Sequence, residues 1–128
     1  LDGISFDEYV TRFGSPNWGD PHFDVFPGGG ESIARFHLRV GATLSRTLAE
    51  HDGKLIVVAC HGGVVDAVFR LLLKMAPTGL FDLWTLNTSL TEFKRTSPSD
   101  ADQQRWRLVR YNDTAHLAGL PDATPPTP

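Results

Sequence analysis

The stretch LIVVACHGG, residues 55–63, decides the fold class of this chain. Its first part, Leu55 to Cys60, is continuously apolar and rich in β-branched side chains. Such a run fits a strand that is covered on both faces, which is the situation of a central strand in a parallel sheet. His61, Gly62 and Gly63 then end the run. The stretch therefore predicts a buried parallel strand followed directly by a glycine turn.

Helices are predicted on both sides of this strand. From Glu31 to His51 there is no proline, and apolar residues recur at spacings of three and four, which is typical of a helix with one apolar stripe. Gly53 supplies its C-terminal stop. A second apolar helix runs from Val64 to about Met75 and stops before Pro77. Strand, glycine turn and helix form half of a βαβ unit, so the predicted fold class is α/β, a three-layer αβα domain with a mainly parallel sheet.

The outer parts of the chain carry weaker signals. Residues 5–8 read S-x-x-E, a capping box that predicts a short helix to about Phe13. Residues 14–30 are rich in glycine and proline and are interpreted as an ordered loop. The proline-rich tail, residues 121–128, is predicted to be disordered. Three further strands are predicted by alternating or β-branched patterns at 81–86, 90–94 and 106–111.

Composition excludes several classes of protein. The 128 residues are 41% apolar and 21% charged, as expected for one ordinary domain. A net charge of -3 gives no global attraction to nucleic acid or to an anionic membrane, so any anion must be bound locally. No run is long enough to span a bilayer, and no secretory signal begins the chain. The single cysteine, Cys60, allows no intrachain disulfide, which suits a reducing compartment or simply a fold that needs no disulfide, so a cytoplasmic location is the default expectation. The first residue is not Met, which indicates a processed or truncated product.

His61 occupies the usual ligand position of an open α/β sheet. Ligands there bind beyond the carboxyl ends of parallel strands, where the next helix begins. Gly62 and Gly63 let backbone amides approach an anion, and the helix dipole favours negative charge. An imidazolium would add a positive charge and two donors for a phosphoryl group. The alternative is that His61 merely fills a turn, and the residues alone leave both interpretations open.

Other reactive residues have simpler structural explanations. Glu31 lies in the first turn of a predicted helix, where capping and the dipole favour a carboxylate. Cys60 as a phosphatase nucleophile would need an arginine about six residues later, but Asp66 stands there, so Cys60 is predicted to be a buried apolar residue. His116 is interpreted as a surface residue. No metal or cofactor is predicted, because no Cys, Asp or Glu recurs with the remaining histidines, His22, His37 and His51.

Four segments, in the same order, resemble the histidine phosphatase (phosphoglycerate mutase-like) superfamily. VVACHGGVVDAVFRLLL, residues 57–73, resembles its second-histidine motif, and PGGGES, residues 27–32, resembles its GES segment. NTSLTEF, residues 87–93, and YNDTAHL, residues 111–117, resemble the late strand and C-terminal segments of phosphatase-like bacterial members. The resemblance identifies residues 1–120 as the C-terminal portion of such a domain, with its N-terminal strands missing.

The resemblance also implies a reaction. In this family a histidine of an Arg-His-Gly motif is phosphorylated, a glutamate protonates the leaving oxygen, and a second histidine holds the phosphoryl group. It implies this last, catalytic and phosphate-binding role for His61, and phosphate binding by the Gly62 amide. No Arg-His-Gly occurs in the 128 residues, so the nucleophile is lacking, and when the chain is aligned with the family on LDG, residues 1–3, the family's acid falls before Leu1. The parent protein, meaning the longer protein of which this chain would be the C-terminal portion, is expected to hydrolyse phosphate monoesters. This chain alone is expected to be inactive.

The expected partner is a small phosphorylated substrate or inorganic phosphate, not nucleic acid or a membrane. A strand as apolar as residues 55–60 needs neighbours on both edges, and an unpaired one could recruit a second copy of the chain. A homo-oligomer is therefore one expectation. The alternative function is a non-catalytic phospholigand-binding or interaction module that keeps the pocket without a nucleophile.

Overall fold

A computed structural model describes residues 3–15, 25, 27, 29–76, 83–96 and 105–120. The chain divides into two compact units, Leu1–Ile56 with Ala76–Phe81 and Val57–Met75 with Asp82–Pro128. The described helices of the first unit are α1, Phe6–Phe13, and α2, Ile33–Glu50. The second unit contains helix α3, Gly62–Leu72, strands β1, Leu90–Thr96, and β2, Arg105–Asp113, and a short 3₁₀ helix, Ala115–Leu117.

Helix α1 begins where the capping signal predicted. The Ser5 hydroxyl accepts a 3.2 Å hydrogen bond from the backbone N–H of Glu8. The Glu8 carboxylate, expected to close the capping box, instead forms an ion pair with Arg12 one turn later. Three aromatic rings follow one face of the helix, with centroids 6.3 and 5.4 Å apart: Phe6, Tyr9 and Phe13. The predicted short helix is confirmed.

Helix α2 is also confirmed, to within two residues at its start. Ser32 is its N-cap, and the buried Ser32 hydroxyl accepts a 3.3 Å hydrogen bond from the Arg35 amide. Val40 is the buried residue of its apolar stripe. The helix ends at Glu50, and Gly53 follows with φ of 70°, a left-handed conformation that glycine adopts without strain.

The run at residues 55–60 does not have the burial that its sequence predicted. It joins no ladder with a described strand, and the side chains of Leu55 and Val57 are 90% and 86% exposed. Cys60, expected to be buried, is exposed as well. No strand of the described ranges lies beside it, and an apolar strand is buried only by the elements placed beside it and on its faces. Among the described residues there is no parallel strand pair, and the three-layer arrangement stays a prediction.

The two predicted strands at 90–94 and 106–111 are confirmed and longer than expected. They form an antiparallel pair, β1 with β2, in which Phe93 lies opposite Leu108. Helix α3 packs on this hairpin through the buried Phe69, whose ring meets Phe93 and Tyr111 edge-on at 5.5 and 5.6 Å. Such pairs add about 0.5–1.5 kcal/mol each to the effect of burial. The hairpin therefore fixes the position of α3 in its unit.

Several sequence predictions fall on residues outside the described ranges. These are most of the loop 14–30, the tail 121–128 and the first two residues of the strand predicted at 81–86. The remaining part of that strand, residues 83–86, is described but belongs to no ladder. Within the described ranges, no helix combines the length and apolar character needed to cross a membrane.

Candidate functional site

The amino end of α3 presents unpaired hydrogen-bond donors. His61 is its N-cap, with extended backbone, and the exposed imidazole forms no capping hydrogen bond. The His61 carbonyl accepts hydrogen bonds from Val64 and Val65, at 2.9 and 3.3 Å. The first amides of a helix have no partner within it, and those of Gly62 and Gly63 donate to no described residue. An imidazole and two free N–H groups therefore lie together at one helix end.

The electrostatic setting of this helix end favours an anion. The first turn of α3 contains no carboxylate that would neutralise the positive end of the dipole. The nearest acid on the helix, Asp66, is paired with the buried Arg70, which lies one turn further along α3. Both Asp66 carboxylate oxygens accept hydrogen bonds from Arg70 Nε, at 3.0 and 2.8 Å. The positive end of α3 is thus left available for a negatively charged ligand.

Gly62 is not required by the backbone conformation or by crowding. It is not among the residues with positive φ, and a Cβ added there would lie 3.7 Å from the Cβ of Thr85, an ordinary van der Waals contact. Glycine in a helix is nonetheless about 0.5–1 kcal/mol less favourable than alanine. What glycine supplies at this position is a backbone amide without a side chain over it.

Thr85, the wall on this side of the candidate site, lies beside Gly62. Its hydroxyl oxygen is enclosed and has no hydrogen-bond partner among the described residues. The backbone on either side of Thr85 is held by side chains from the end of β2. The Tyr111 hydroxyl donates to the carbonyl of Trp84, and the Leu86 amide donates to Oδ1 of Asn112 at 2.8 Å. The extended segment 83–86 is thus attached to the hairpin by side chains and not by a strand ladder.

Cys60 next to the site has little nucleophilic character. Cys60 is exposed, but nearby protein atoms partly desolvate its thiol, which raises the pKa of Cys60 and keeps the thiolate fraction at neutral pH small. The structure corrects its predicted burial but gives no support to a cysteine-based reaction.

Two further candidates from the sequence are Glu31, in the first unit, and His116, in the second. The Glu31 carboxylate accepts hydrogen bonds from Arg39, which lower the pKa of Glu31 and keep it ionised. His116 is exposed in the 3₁₀ helix, as expected for a surface residue. Across the described ranges, no three His, Cys, Asp or Glu side chains cluster in a way that could hold a metal ion. His22 lies outside those ranges.

Sequence reasoning missed Thr85 and Asn112. The sequence predicts a strand around Thr85 and a family segment around Asn112, but it assigns neither residue a role. Asn-Asp at the end of a strand is a turn signal, and this was the only local indication for Asn112. Its hydrogen bond to Leu86 joins residues 26 positions apart, which no local pattern reports.

The chain matches the family model of the histidine phosphatase superfamily (branch 1) over residues 2–114. It is 32% identical over 91 residues to phosphoglycerate mutase-like protein 4 of Arabidopsis thaliana, covering 71% of this chain and 36% of that protein. It is 27% identical over 94 residues to the metal-independent phosphoserine phosphatase of the same plant, covering 73% and 35%. The chain thus spans little more than a third of the length of these curated relatives. No solved structure matches it.

Proposed function

The chain belongs to the histidine phosphatase superfamily, and from this premise we propose that His61 and the Gly62 amide bind the phosphoryl group of a phosphate monoester. The parent protein then hydrolyses this ester through a phosphohistidine intermediate. The observation that carries the proposal is the exposed His61 imidazole beside two unpaired amides, at a helix end with no carboxylate in its first turn.

The chemistry of phosphoryl transfer suits such an arrangement. Catalysis of this reaction depends on positioning and on charge stabilisation around the equatorial oxygens of the phosphoryl group. The two amides donate to these oxygens, and His61 in its protonated form adds a charge-assisted hydrogen bond. The 128 residues contain no Arg-His-Gly segment, so nucleophile and general acid must come from the remainder of the parent protein.

The fold of the parent follows from the same proposal. Strands on both edges of residues 55–60 would complete a mainly parallel sheet with helices on both faces. The high exposure of Leu55 and Val57 supports this, because burying such side chains is favourable by about 1.5–3 kcal/mol each. We place the parent in the cytoplasm and assign it hydrolysis in preference to a mutase reaction, because NTSLTEF and YNDTAHL resemble the segments of phosphatases.

The test is a phosphate titration of the isotopically labelled chain. Inorganic phosphate is expected to shift the NMR signals of the Gly62 and Gly63 amides and of the His61 ring. His61→Gln should weaken binding by about tenfold or more, as expected for a charge-assisted hydrogen bond. His116→Gln, a matched change of an exposed histidine in the same unit, should have no effect. Shifts centred elsewhere, or equal effects of the two variants, would contradict the proposal.

The second candidate function is a phospholigand-binding module without catalysis, and the lack of an Arg-His-Gly segment is the observation that favours it. The two functions differ in what the gene encodes before Leu1. A strand ending in Arg-His-Gly would identify part of an enzyme, whereas a start codon at or just before Leu1 would identify a binding module. In both cases residues 1–128 alone should release no measurable product from an aryl phosphate.

A further inference from the structure

One side chain outside the proposed phosphate ligands connects the end of β2 to the amino end of α3. The Leu86 amide donates a 2.8 Å hydrogen bond to Oδ1 of Asn112. The preceding residue, Thr85, lies against Gly62, with its Cβ 3.7 Å from the position that a Gly62 Cβ would occupy. The Asn112 side chain therefore reaches the candidate site through two intervening residues.

The backbone of Asn112 has an unusual conformation where this contact is made. Its φ is 54°, a left-handed value that few residues other than glycine adopt and that asparagine tolerates best. Its backbone N–H donates to the Thr91 hydroxyl at 3.3 Å, and Asn112 is not among the paired residues of the β1–β2 register. The register of β1 with β2 is irregular at the same level, between Leu90 and Glu92. The end of β2 thus departs from strand geometry at the residue that contacts Leu86.

The segment that Asn112 holds has few other attachments. Described residues 83–86 belong to no strand, and the side-chain bonds from Asn112 and Tyr111 are what join them to β2. By contrast, α3 is fixed to the hairpin independently, through the ring of Phe69. Loss of the Asn112 side chain should therefore release residues 83–86 locally, while α3 and the hairpin stay together.

We infer that Asn112 is a positioning residue for the phosphate site. It holds Leu86, which keeps Thr85 against Gly62 and so fixes the wall beside the Gly62 amide. Asn112 itself touches no phosphoryl group, and the inference rests on the proposed function. When the wall is free to move, a bound phosphate must order it, and this ordering lowers the affinity.

The test variant is Asn112→Gly, because glycine accepts the left-handed backbone but offers no acceptor to Leu86. The full chain is titrated with inorganic phosphate, and the Gly62 and Gly63 amide signals are followed at a temperature where circular dichroism shows every variant folded. Binding should be about tenfold weaker, in keeping with the loss of one hydrogen bond. The matched control, Thr96→Val, removes a 3.2 Å bond to the Arg105 carbonyl at the far end of the same hairpin and should leave the affinity unchanged.

Each outcome decides one point. Equal phosphate affinity in Asn112→Gly and the unchanged chain overturns the positioning role and leaves the proposed function standing. Equal weakening by Thr96→Val also overturns it, since the effect would then be a general loosening of the hairpin. If the unchanged chain binds no phosphate, the proposed function fails first and the inference fails with it. If Asn112→Gly does not fold, Asn112→Ala replaces it, since it also removes the acceptor of the Leu86 amide, and an unchanged affinity there overturns the inference.

Discussion

Gly62→Ala separates the stability of α3 from its ability to bind phosphate. The new Cβ would lie 3.7 Å from the Thr85 Cβ, so it fits without displacement. Because alanine is favoured over glycine in a helix, the free energy of unfolding should rise by about 0.5–1 kcal/mol, or roughly 2–5 °C in Tm. Alanine keeps the backbone N–H that is proposed to meet the phosphoryl oxygens, but its methyl group adds bulk next to that N–H and hinders the close approach of an anion. Because a hydrogen bond to a charged group is worth about 1.5–3 kcal/mol, weakening it should lower the phosphate affinity by up to about a hundredfold.

The assay for Gly62→Ala combines thermal unfolding with a phosphate titration on the same sample. Gly53→Ala is the contrasting control, because the φ of 70° at Gly53 makes alanine unfavourable there. That variant should lower Tm and leave phosphate affinity unchanged. Phosphate affinity of Gly62→Ala within twofold of the unchanged chain would refute the argument that the anion needs a glycine here for close approach. A fall in Tm would refute the packing argument instead.

Two further predictions concern the pH dependence of Asp113 and the exposed strand. The pKa of Asp113 is lowered from 3.8, first by a hydrogen bond from the Ala115 amide and then by Arg110. The stability from this carboxylate is therefore present above pH 3.8 and lost as the pH falls through the lower, folded-state pKa. In a carboxyl NMR titration Arg110→Gln should raise the pKa only in part, and full return to 3.8 would show that the Ala115 bond is absent. Val57→Lys should change the unfolding free energy of this chain by less than about 0.5 kcal/mol, because Val57 is 86% exposed. The added charge should also reduce self-association, measured by sedimentation, because it opposes pairing of the apolar strand with a second copy. The same change in the parent protein should be strongly destabilising, and equal effects in both would mean that the strand stays uncovered.

The elements that could be predicted from the sequence are those whose causes are local. Ser5 and Ser32 lie next to the amides that they cap, and the hairpin strands carry their own alternating pattern. The burial predicted for residues 55–60 was wrong, because the run itself does not specify which elements lie beside it. The predicted position of His61 at the start of a helix was correct for the same local reason: glycines directly after an apolar run mark that helix start.

The contacts that could not be predicted are those made between distant parts of the chain. Thr85 comes beside Gly62 only because Phe69 packs α3 on the hairpin and because Asn112 holds Leu86. Each of these contacts joins residues more than 20 positions apart, and apolar or polar periodicity contains no information about such pairs. An Asn-Asp pair is a general turn signal, but the amide that the Asn112 side chain meets depends on the packed structure.

The proposed site divides into a part that this chain supplies and a part that it lacks. The imidazole of His61, the amides of Gly62 and Gly63 and the Thr85 wall all belong to one compact unit, Val57–Met75 with Asp82–Pro128. Their arrangement depends on α3 and the hairpin, and not on strands beside residues 55–60. If the proposed function holds, phosphate binding should persist, weakly, in the 128 residues, whereas turnover should need the phosphorylated histidine of an Arg-His-Gly motif, which these residues do not contain. The proposal therefore predicts binding without turnover, because it assigns the groups that hold a phosphoryl group and the group that attacks it to different stretches of sequence.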